Sequence, residues 1–243
     1  MNKIYVVGIG PGEYEQMTIK AAEALKNCDM IVGYTVYVDL VKNHFPGKEF
    51  MTTPMKKEVE RCRLAFEEAK QGKTVAMICS GDAGVYGMSG LMYEVGVDYP
   101  EVELEIIPGV TAALGGGAVL GAPLIHDFCL ISLSDLLTPW EKIEKRLLLA
   151  SEADFAMVLY NPSSKKRHDY LQKACDLMLQ HKSPETVCGI VGNIGRDGEA
   201  EKVMTLRELR DTQVDMFTTV FIGNSQTKVV NGKMVTPRGY RNV

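Results

Sequence analysis

What this chain lacks narrows it before any motif is read. Its six cysteines, Cys28, Cys62, Cys79, Cys129, Cys175 and Cys188, stand far apart with no Cys-x-x-Cys pair, which argues against both a zinc site and a disulfide framework. They read as reduced, mostly buried thiols of a cytosolic protein. His44, His126, His168 and His181 show no paired metal-ligand spacing, so no metal is expected. A P-loop, a Gly-x-Ser-x-Gly elbow and a catalytic cysteine pattern are all missing. Positive charge is not in excess, with 27 Lys and Arg against 31 Asp and Glu and a net charge of −4, which disfavours a nucleic-acid-binding surface.

A membrane span is also missing. The charge-free run from Ile106 to Ile125 is interrupted by Pro108, Pro123 and the glycines at 109, 115, 116, 117 and 121. No spanning helix survives that composition, and the run reads as a buried crossing between two lobes. Lys3 to Gly8 reads as a strand from the start of the chain, leaving no room for a signal peptide, so a cytoplasmic protein without membrane partners is expected. With 243 residues, 46% of them apolar and 24% charged, the chain can bury a sizeable core as one domain or two smaller ones.

What is there alternates. Strands are predicted at 3 to 8, 29 to 33, 74 to 79 and 102 to 107, with helices at 18 to 27, 56 to 71 and 86 to 96, a pattern that predicts a largely parallel α/β sheet. On the helix at 56 to 71, Val59, Cys62, Leu64, Ala65, Phe66 and Ala69 mark an apolar core face, with Lys, Glu and Arg elsewhere. Further strands follow at 127 to 133, 154 to 160, 186 to 192 and 217 to 223. Asn231-Gly232 predicts a type I′ hairpin between Thr227 to Val230 and Lys233 to Val235, and hence a mixed second sheet. The expected division is an N-terminal α/β lobe at 1 to 110, a crossing at 111 to 120, and a C-terminal α/β lobe at 121 to 243 that ends in the hairpin. A cleft separates the lobes in this reading.

The chain is organised around Ser80-Gly-Asp-Ala-Gly-Val-Tyr-Gly-Met88, which directly follows a buried strand. In open α/β sheets ligands sit beyond the carboxyl ends of strands, and Gly81, Gly84 and Gly87 allow close backbone approach. Asp82 either accepts from a sugar hydroxyl or an amine, or only caps the next helix. Gly8-Ile-Gly-Pro-Gly12 fails as a dinucleotide fingerprint, because Glu13 stands where the third glycine belongs and Pro11 removes a backbone donor.

Thr138-Pro-Trp-Glu141 predicts a helix start with a capping box. Ser132-Leu-Ser-Asp135 ends the strand before it, which leaves Asp135 either a turn residue or a ligand contact. Asn161-Pro-Ser-Ser-Lys-Lys-Arg167 is expected to open a helix running from 163 to 182. Lys165, Lys166 and Arg167 there oppose the helix dipole, so they either face an anionic ligand or are simply solvated. His126-Asp127 is placed for acid/base work, although a lone histidine is more often a core residue.

Six stretches in order and at consistent spacing resemble the tetrapyrrole methylases, a family of class III S-adenosylmethionine-dependent methyltransferases. They are Val7 to Gly12, Ser80 to Gly87, Ile107-Pro-Gly-Val-Thr-Ala112, Gly121-Ala-Pro-Leu-Ile-His-Asp127, Leu159-Tyr-Asn161 and Gly192-Asn-Ile-Gly195, and the resemblance runs from Ile4 to about Gly223. Within the family, Gly33-Tyr-Thr-Val-Tyr37, His126-Asp-Phe128, Ser132 to Trp140 and Tyr160 to Arg167 resemble the precorrin-3B C17-methyltransferase branch of cobalamin synthesis. One departure is Ala83, where many relatives carry proline.

The resemblance implies the two-lobed tetrapyrrole methylase fold with the cofactor in its cleft. It implies that S-adenosylmethionine, and the product S-adenosylhomocysteine, are held by Gly10, Pro11, Gly81, Asp82, Ala83, Val85, Tyr86, Thr111, Ala112, Tyr160, Asn161, Asn193, Ile194 and Gly195. The implied substrate is a precorrin or cobalt-precorrin macrocycle, contacted by Tyr34, Tyr37, Lys165, Lys166 and Arg167, and the implied assembly is a homodimer. Ring contraction needs proton handling, for which Asp82, His126, Asp127 and Asp135 are the candidates. The competing expectations are a methylase acting on another precorrin or on RNA, a nicotinamide-dependent oxidoreductase, and a non-catalytic cofactor-binding module. Glu13 and Pro11 oppose the oxidoreductase.

Overall fold

A computed structural model describes residues 2–164 and 166–241. Lys165 therefore lies outside the described residues. The chain divides into two compact units, the first ending at Ala112 and the second beginning at Ala113.

In the first unit, β1 (Lys3–Gly8), α1 (Ile19–Asn27), β2 (Met30–Tyr34), α2 (Thr35–Val41), β3 (Glu49–Thr53), α3 (Glu58–Lys70), β4 (Thr74–Cys79), α4 (Ser89–Gly96) and β5 (Glu103–Ile107) follow in order. The sheet runs β3-β2-β4-β1-β5 and every pairing is parallel, as the strand and helix alternation predicts. Parallel strands are covered on both faces, so their interiors read as continuous apolar runs. One face packs Phe66, Met77 and Met92, and the other packs Leu25, Ile31 and Ile78. Thr18 caps α1, its hydroxyl accepting from Ala21 N at 3.1 Å.

Helix α3 departs from the expected face. Its buried residues are Arg61, Cys62, Ala65, Phe66 and Ala69, while Val59 is exposed. The stripe is rotated so that an arginine, expected outside, lies inside.

The second unit holds nearly all of α5 (Ala112–Leu120), then β6 (Gly121–Ala122), β7 (Phe128–Ser132), α6 (Trp140–Glu152), β8 (Ala156–Tyr160), α7 (Tyr170–Met178) and β9 (Val187–Gly192). β10 (Ala200–Thr205), α8 (Leu206–Arg210), β11 (Thr218–Ile222), β12 (Lys228–Val230) and β13 (Lys233–Val235) complete it. The main sheet runs β10-β9-β11-β8-β7 and is mixed. The hairpin is not the cause of the mixture. Its strands β12 and β13 pair with β6 in a separate three-stranded sheet. The turn itself is as expected, with Asn231 and Gly232 both at positive φ.

The glycine-rich crossing is a helix, which propensity alone disfavours. Packing explains it: a Cβ on Gly116 would come within 2.8 Å of Ile194 and 3.0 Å of Phe221, and one on Gly189 would meet Leu120 at 2.7 Å. Glycine on both partners, Gly116 on the helix and Gly189 on β9, lets the helix lie this close to the sheet.

Two helix starts differ from expectation. Pro139, not Thr138, occupies the N-cap of α6, and no side chain caps that end. Trp140 Nε1 instead donates to Glu144 Oε1 at 2.6 Å. Helix α7 begins at Tyr170 rather than at 163, so Lys166 and Arg167 lie in the turns before it and the dipole penalty does not arise.

All six cysteines are free, five of them buried. Burial pushes the Cys79 thiol up to about 11 and those of Cys62 and Cys175 up to about 12, which keeps them unreactive at neutral pH. Among the described residues no helix is long and apolar enough to cross a membrane, and no His, Cys, Asp and Glu cluster is placed to hold a metal ion.

Candidate active site

In the first unit the loops after β1, β4 and β5 leave adjacent strands at the same edge and pack backbone against backbone. Gly10 and Gly81 exchange both hydrogen bonds, N to O at 3.0 and 2.7 Å. A Cβ on Gly8 would stand 2.7 Å from both Gly109 N and Gly81 O, so glycine is required there by contact with neighbouring chain. Gly81 lies at φ +68 with a Cβ position 3.5 Å from Thr111 Cα.

Asp82 fastens this layer. Its Oδ1 accepts from Gly84 N at 2.8 Å, an Asx turn, and its Oδ2 accepts from Gly109 N at 2.9 Å. It caps no helix, since α4 starts at Ser89 with Met88 at its N-cap. Ala83 is fully buried and Thr111 nearly so, while Val85 is half-buried and Tyr86 is exposed with φ at 53. Gly10, at φ 79, and buried Pro11 complete the layer. Tyr34 and Tyr37 lie at the carboxyl end of β2 and in α2, their rings edge to face at 5.2 Å.

In the second unit β7, β8 and β9 end at one edge. Tyr160 at the end of β8 accepts a hydrogen bond from Ala113 N through its hydroxyl at 2.8 Å, which caps the start of α5. Asn161, at φ 52, donates to Ser132 Oγ at 3.0 Å. Asn193 and Gly195 follow β9 at φ 52 and 63, with Ile194 buried against α5. Gly195 N donates to Glu199 Oε2 at 2.7 Å.

At the same edge Asp135 is fully engaged. Arg167 Nη1 donates to its Oδ1 at 3.2 Å and to Ser134 Oγ at 2.7 Å, and Tyr170 Oη donates to its Oδ2 at 2.6 Å. These bonds, that of Tyr170 foremost, hold the Asp135 carboxyl below its ordinary range. The Trp140 and Tyr170 rings meet at 4.5 Å between centroids, tilted by 50°. Lys166 is exposed.

His126 and Asp127 are both exposed and precede β7 at its amino end, the opposite edge of the sheet from Asp135. The structure therefore does not gather the acid/base candidates of this unit. Arg61 and Tyr170 went unread in the sequence. Arg61 shares the spacing of Cys62, Ala65 and Ala69 on α3, and that spacing was its signal. Tyr170 had none, because nothing local to it indicates Asp135.

The family model for Tetrapyrrole (Corrin/Porphyrin) Methylases matches residues 3–210. The chain belongs to the tetrapyrrole methylase family. Among curated relatives it is 48% identical over 236 residues to a probable cobalt-factor III C(17)-methyltransferase of Salmonella typhimurium, covering 97% of this chain and 98% of that one. It is 42% identical to a precorrin-3B C(17)-methyltransferase of a Sinorhizobium species, covering 98% and 96%. Among solved structures, the methyltransferase CobJ superposes with a TM-score of 0.89 at 36% identity, covering 96% of this chain and 99% of that one. These matches confirm the family and fold expected from the six motif stretches.

Proposed function

We propose that this protein is an S-adenosylmethionine-dependent C-methyltransferase of cobalamin synthesis. It methylates C17 of precorrin-3B or of its cobalt-bearing counterpart, with contraction of the macrocycle. The observation that carries this reading is identity of 48% and 42%, across almost the whole chain, to two relatives named for C17 methylation.

We assign the cofactor in the first unit to Gly10, Pro11, Gly81, Asp82, Ala83, Val85, Tyr86, Thr111 and Ala112. In the second unit we assign it to Tyr160, Asn161, Asn193, Ile194 and Gly195. The donor set suits it. A zwitterionic sulfonium nucleoside without phosphate needs close backbone and hydroxyl contacts, and the first unit offers a layer of glycine backbone in which Pro11 has no N–H. When bound, the cofactor supplies a methyl group on a positive sulfur, already a good leaving group, so the protein contributes mainly alignment, which lowers such barriers by several kcal/mol.

Tyr34, Tyr37, Lys166 and Arg167 are assigned to the macrocycle. Arg167 has its plane fixed by Ser134 and Asp135, which suits recognition of a carboxylate arm. We assign Asp82 and Asp135 to positioning, since backbone or side-chain donors occupy both oxygens of each carboxylate. No proton-handling role is assigned to His126 or Asp127. We also infer a cytoplasmic homodimer.

The test is mass spectrometry of a cobalt-containing and a metal-free trimethylated precursor after incubation with the protein and S-adenosylmethionine. Gain of one methyl at C17 is expected, and the preferred acceptor identifies the cobalt-dependent or the oxygen-dependent route. No gain on either acceptor, with S-adenosylhomocysteine still bound, overturns the C17 reading and leaves the methylase family.

A further inference from the structure

Among the described residues two charged side chains are buried, Arg61 and Lys182. Lys182 has a carboxylate partner in Asp154. Arg61, only 4% exposed, has none within 4.0 Å. A buried charge without a counter-ion is costly, and native proteins pair or neutralise such groups.

Neutral acceptors meet part of the demand of the Arg61 guanidinium. Its Nε donates to Thr53 Oγ1 at 2.7 Å, and its Nη2 donates to Pro54 O at 3.1 Å and Thr53 O at 3.5 Å. Nη1 meets only the thioether of Met88, at 3.3 Å from Sδ, and sulfur of this kind is a weak acceptor. The guanidinium carbon stands 6.0 Å from the centroid of the Tyr34 ring. Among the described residues the Tyr34 hydroxyl has no hydrogen-bond partner. These contacts satisfy direction but, among the described residues, leave the guanidinium with no carboxylate at ion-pair distance.

The location of that charge is informative. Tyr34, Thr53 and Met88 belong to the carboxyl ends of β2, β3 and β4 or to the loop that follows, adjacent strands of the first sheet. This is the edge at which open α/β sheets take ligands. Lys56, in the segment leading from Pro54 to α3, is held at φ 67, a conformation rare outside glycine and found where surrounding structure imposes it. Met88 is half-buried and flexible by chemistry, a side chain that an incoming anion can displace.

We propose that Arg61 is a carboxylate-binding residue, taking one anionic arm of the methyl acceptor on Nη1 in place of the Met88 sulfur and against the face of Tyr34. The assignment rests on the reading above that the acceptor is a polycarboxylate macrocycle. It adds a site on the edge of the first sheet that Tyr34 and Tyr37 alone do not supply, because neither carries charge. Arginine suits the role better than lysine, since its fork can keep Thr53 and Pro54 while it presents one further edge.

The experiment compares equilibrium binding of uroporphyrin III, a stable flat macrocycle with acetate and propionate arms, with binding of S-adenosylhomocysteine. The proteins are the wild type, Arg61→Lys, Arg61→Met and Met88→Leu. Expected results are a loss of porphyrin affinity of about tenfold or more in Arg61→Met and a smaller loss in Arg61→Lys. Met88→Leu should bind porphyrin as tightly as the wild type, and S-adenosylhomocysteine affinity should be retained throughout. Porphyrin binding by Arg61→Met should also lose part of its salt dependence. Equal porphyrin affinity in wild type and both Arg61 variants overturns the proposal while leaving the methylase reading intact. A parallel loss of both ligands also overturns it, assigning Arg61 to the loop structure alone. Failure of the wild type to bind porphyrin overturns the macrocycle reading itself. If Arg61→Met does not fold, the porphyrin affinity of Arg61→Lys against that of the wild type decides.

Discussion

Lys182 and Arg61 are both buried cations, one in each unit, and they are held in opposite ways. Lys182 Nζ reaches Asp154 Oδ1 at 3.4 Å, Phe155 O at 3.0 Å and Gly223 O at 3.1 Å, and Asp154 is held in turn by the backbone and hydroxyl of Ser225. It ties the amino end of β8 to the segment leaving β11, away from the edge that carries Tyr160. Burial pulls its ammonium below the ordinary value and Asp154 opposes that pull. Arg61 stands at a carboxyl edge with neutral partners only. Lys182 comes with its own carboxylate, and Arg61, which has none at ion-pair distance among the described residues, is the cation we assign to a ligand.

The contrast can be broken first at Lys182. Lys182→Met leaves the Phe155 and Gly223 carbonyls without a donor, and the expected loss is about 3 kcal/mol of unfolding free energy by denaturant melt. Affinity for S-adenosylhomocysteine and porphyrin should be unchanged. A variant as stable as the wild type would dissolve the distinction.

Next is Tyr170→Phe, which removes one bond to Asp135 and is expected to cost about 1 kcal/mol while raising KM for the macrocycle through a less constrained Arg167. Its pH behaviour sharpens the point. Because Asp135 has a lower pKa folded than unfolded, its contribution is full above the ordinary carboxylate pKa and fades as pH falls through the depressed one. Losing the Tyr170 bond lets the folded pKa rise, so acid unfolding followed by circular dichroism should begin at higher pH. The smallest effect belongs to Met88→Leu, a volume-conserving exchange expected to change stability by less than about 1 kcal/mol. A larger loss would mean that the sulfur is a structural partner of Arg61.

The elements that sequence made legible are those whose burial is simple. β1, β2 and β4 are largely apolar runs because they lie inside the sheet, and the Asn231-Gly232 turn announces its own geometry. β3 and β10, Glu49–Thr53 and Ala200–Thr205, escaped because at least half of their residues are exposed and a single one in each is buried, too little to print a pattern on the chain. The start of α7 was misplaced because proline and serine at 162 to 164 resemble a helix entry, whereas Arg167 turns back to Ser134 and Asp135. Their contact joins residues more than thirty positions apart, a spacing that local reading cannot weigh. The glycine loops were legible because the residue type itself marks close backbone approach, whatever distant segment supplies the neighbour. The Asp82 bond to Gly109 was not, and that bond decides what the carboxylate does.

The layer formed by Gly8, Gly10, Gly81 and Gly109 has a consequence for how such a protein tolerates change. Its walls are defined by atoms that are not there, so conventional truncation to alanine is an insertion at these positions. A scan that removes side chains would find Val85 and Tyr86 and pass over the floor beneath them. Adding a single methyl at Gly8 or Gly109, against a backbone that has no rotamer in which to retreat, is the perturbation to which this region is most sensitive. Variation among relatives should accordingly be free in what projects from the layer and strict in what is withheld from it.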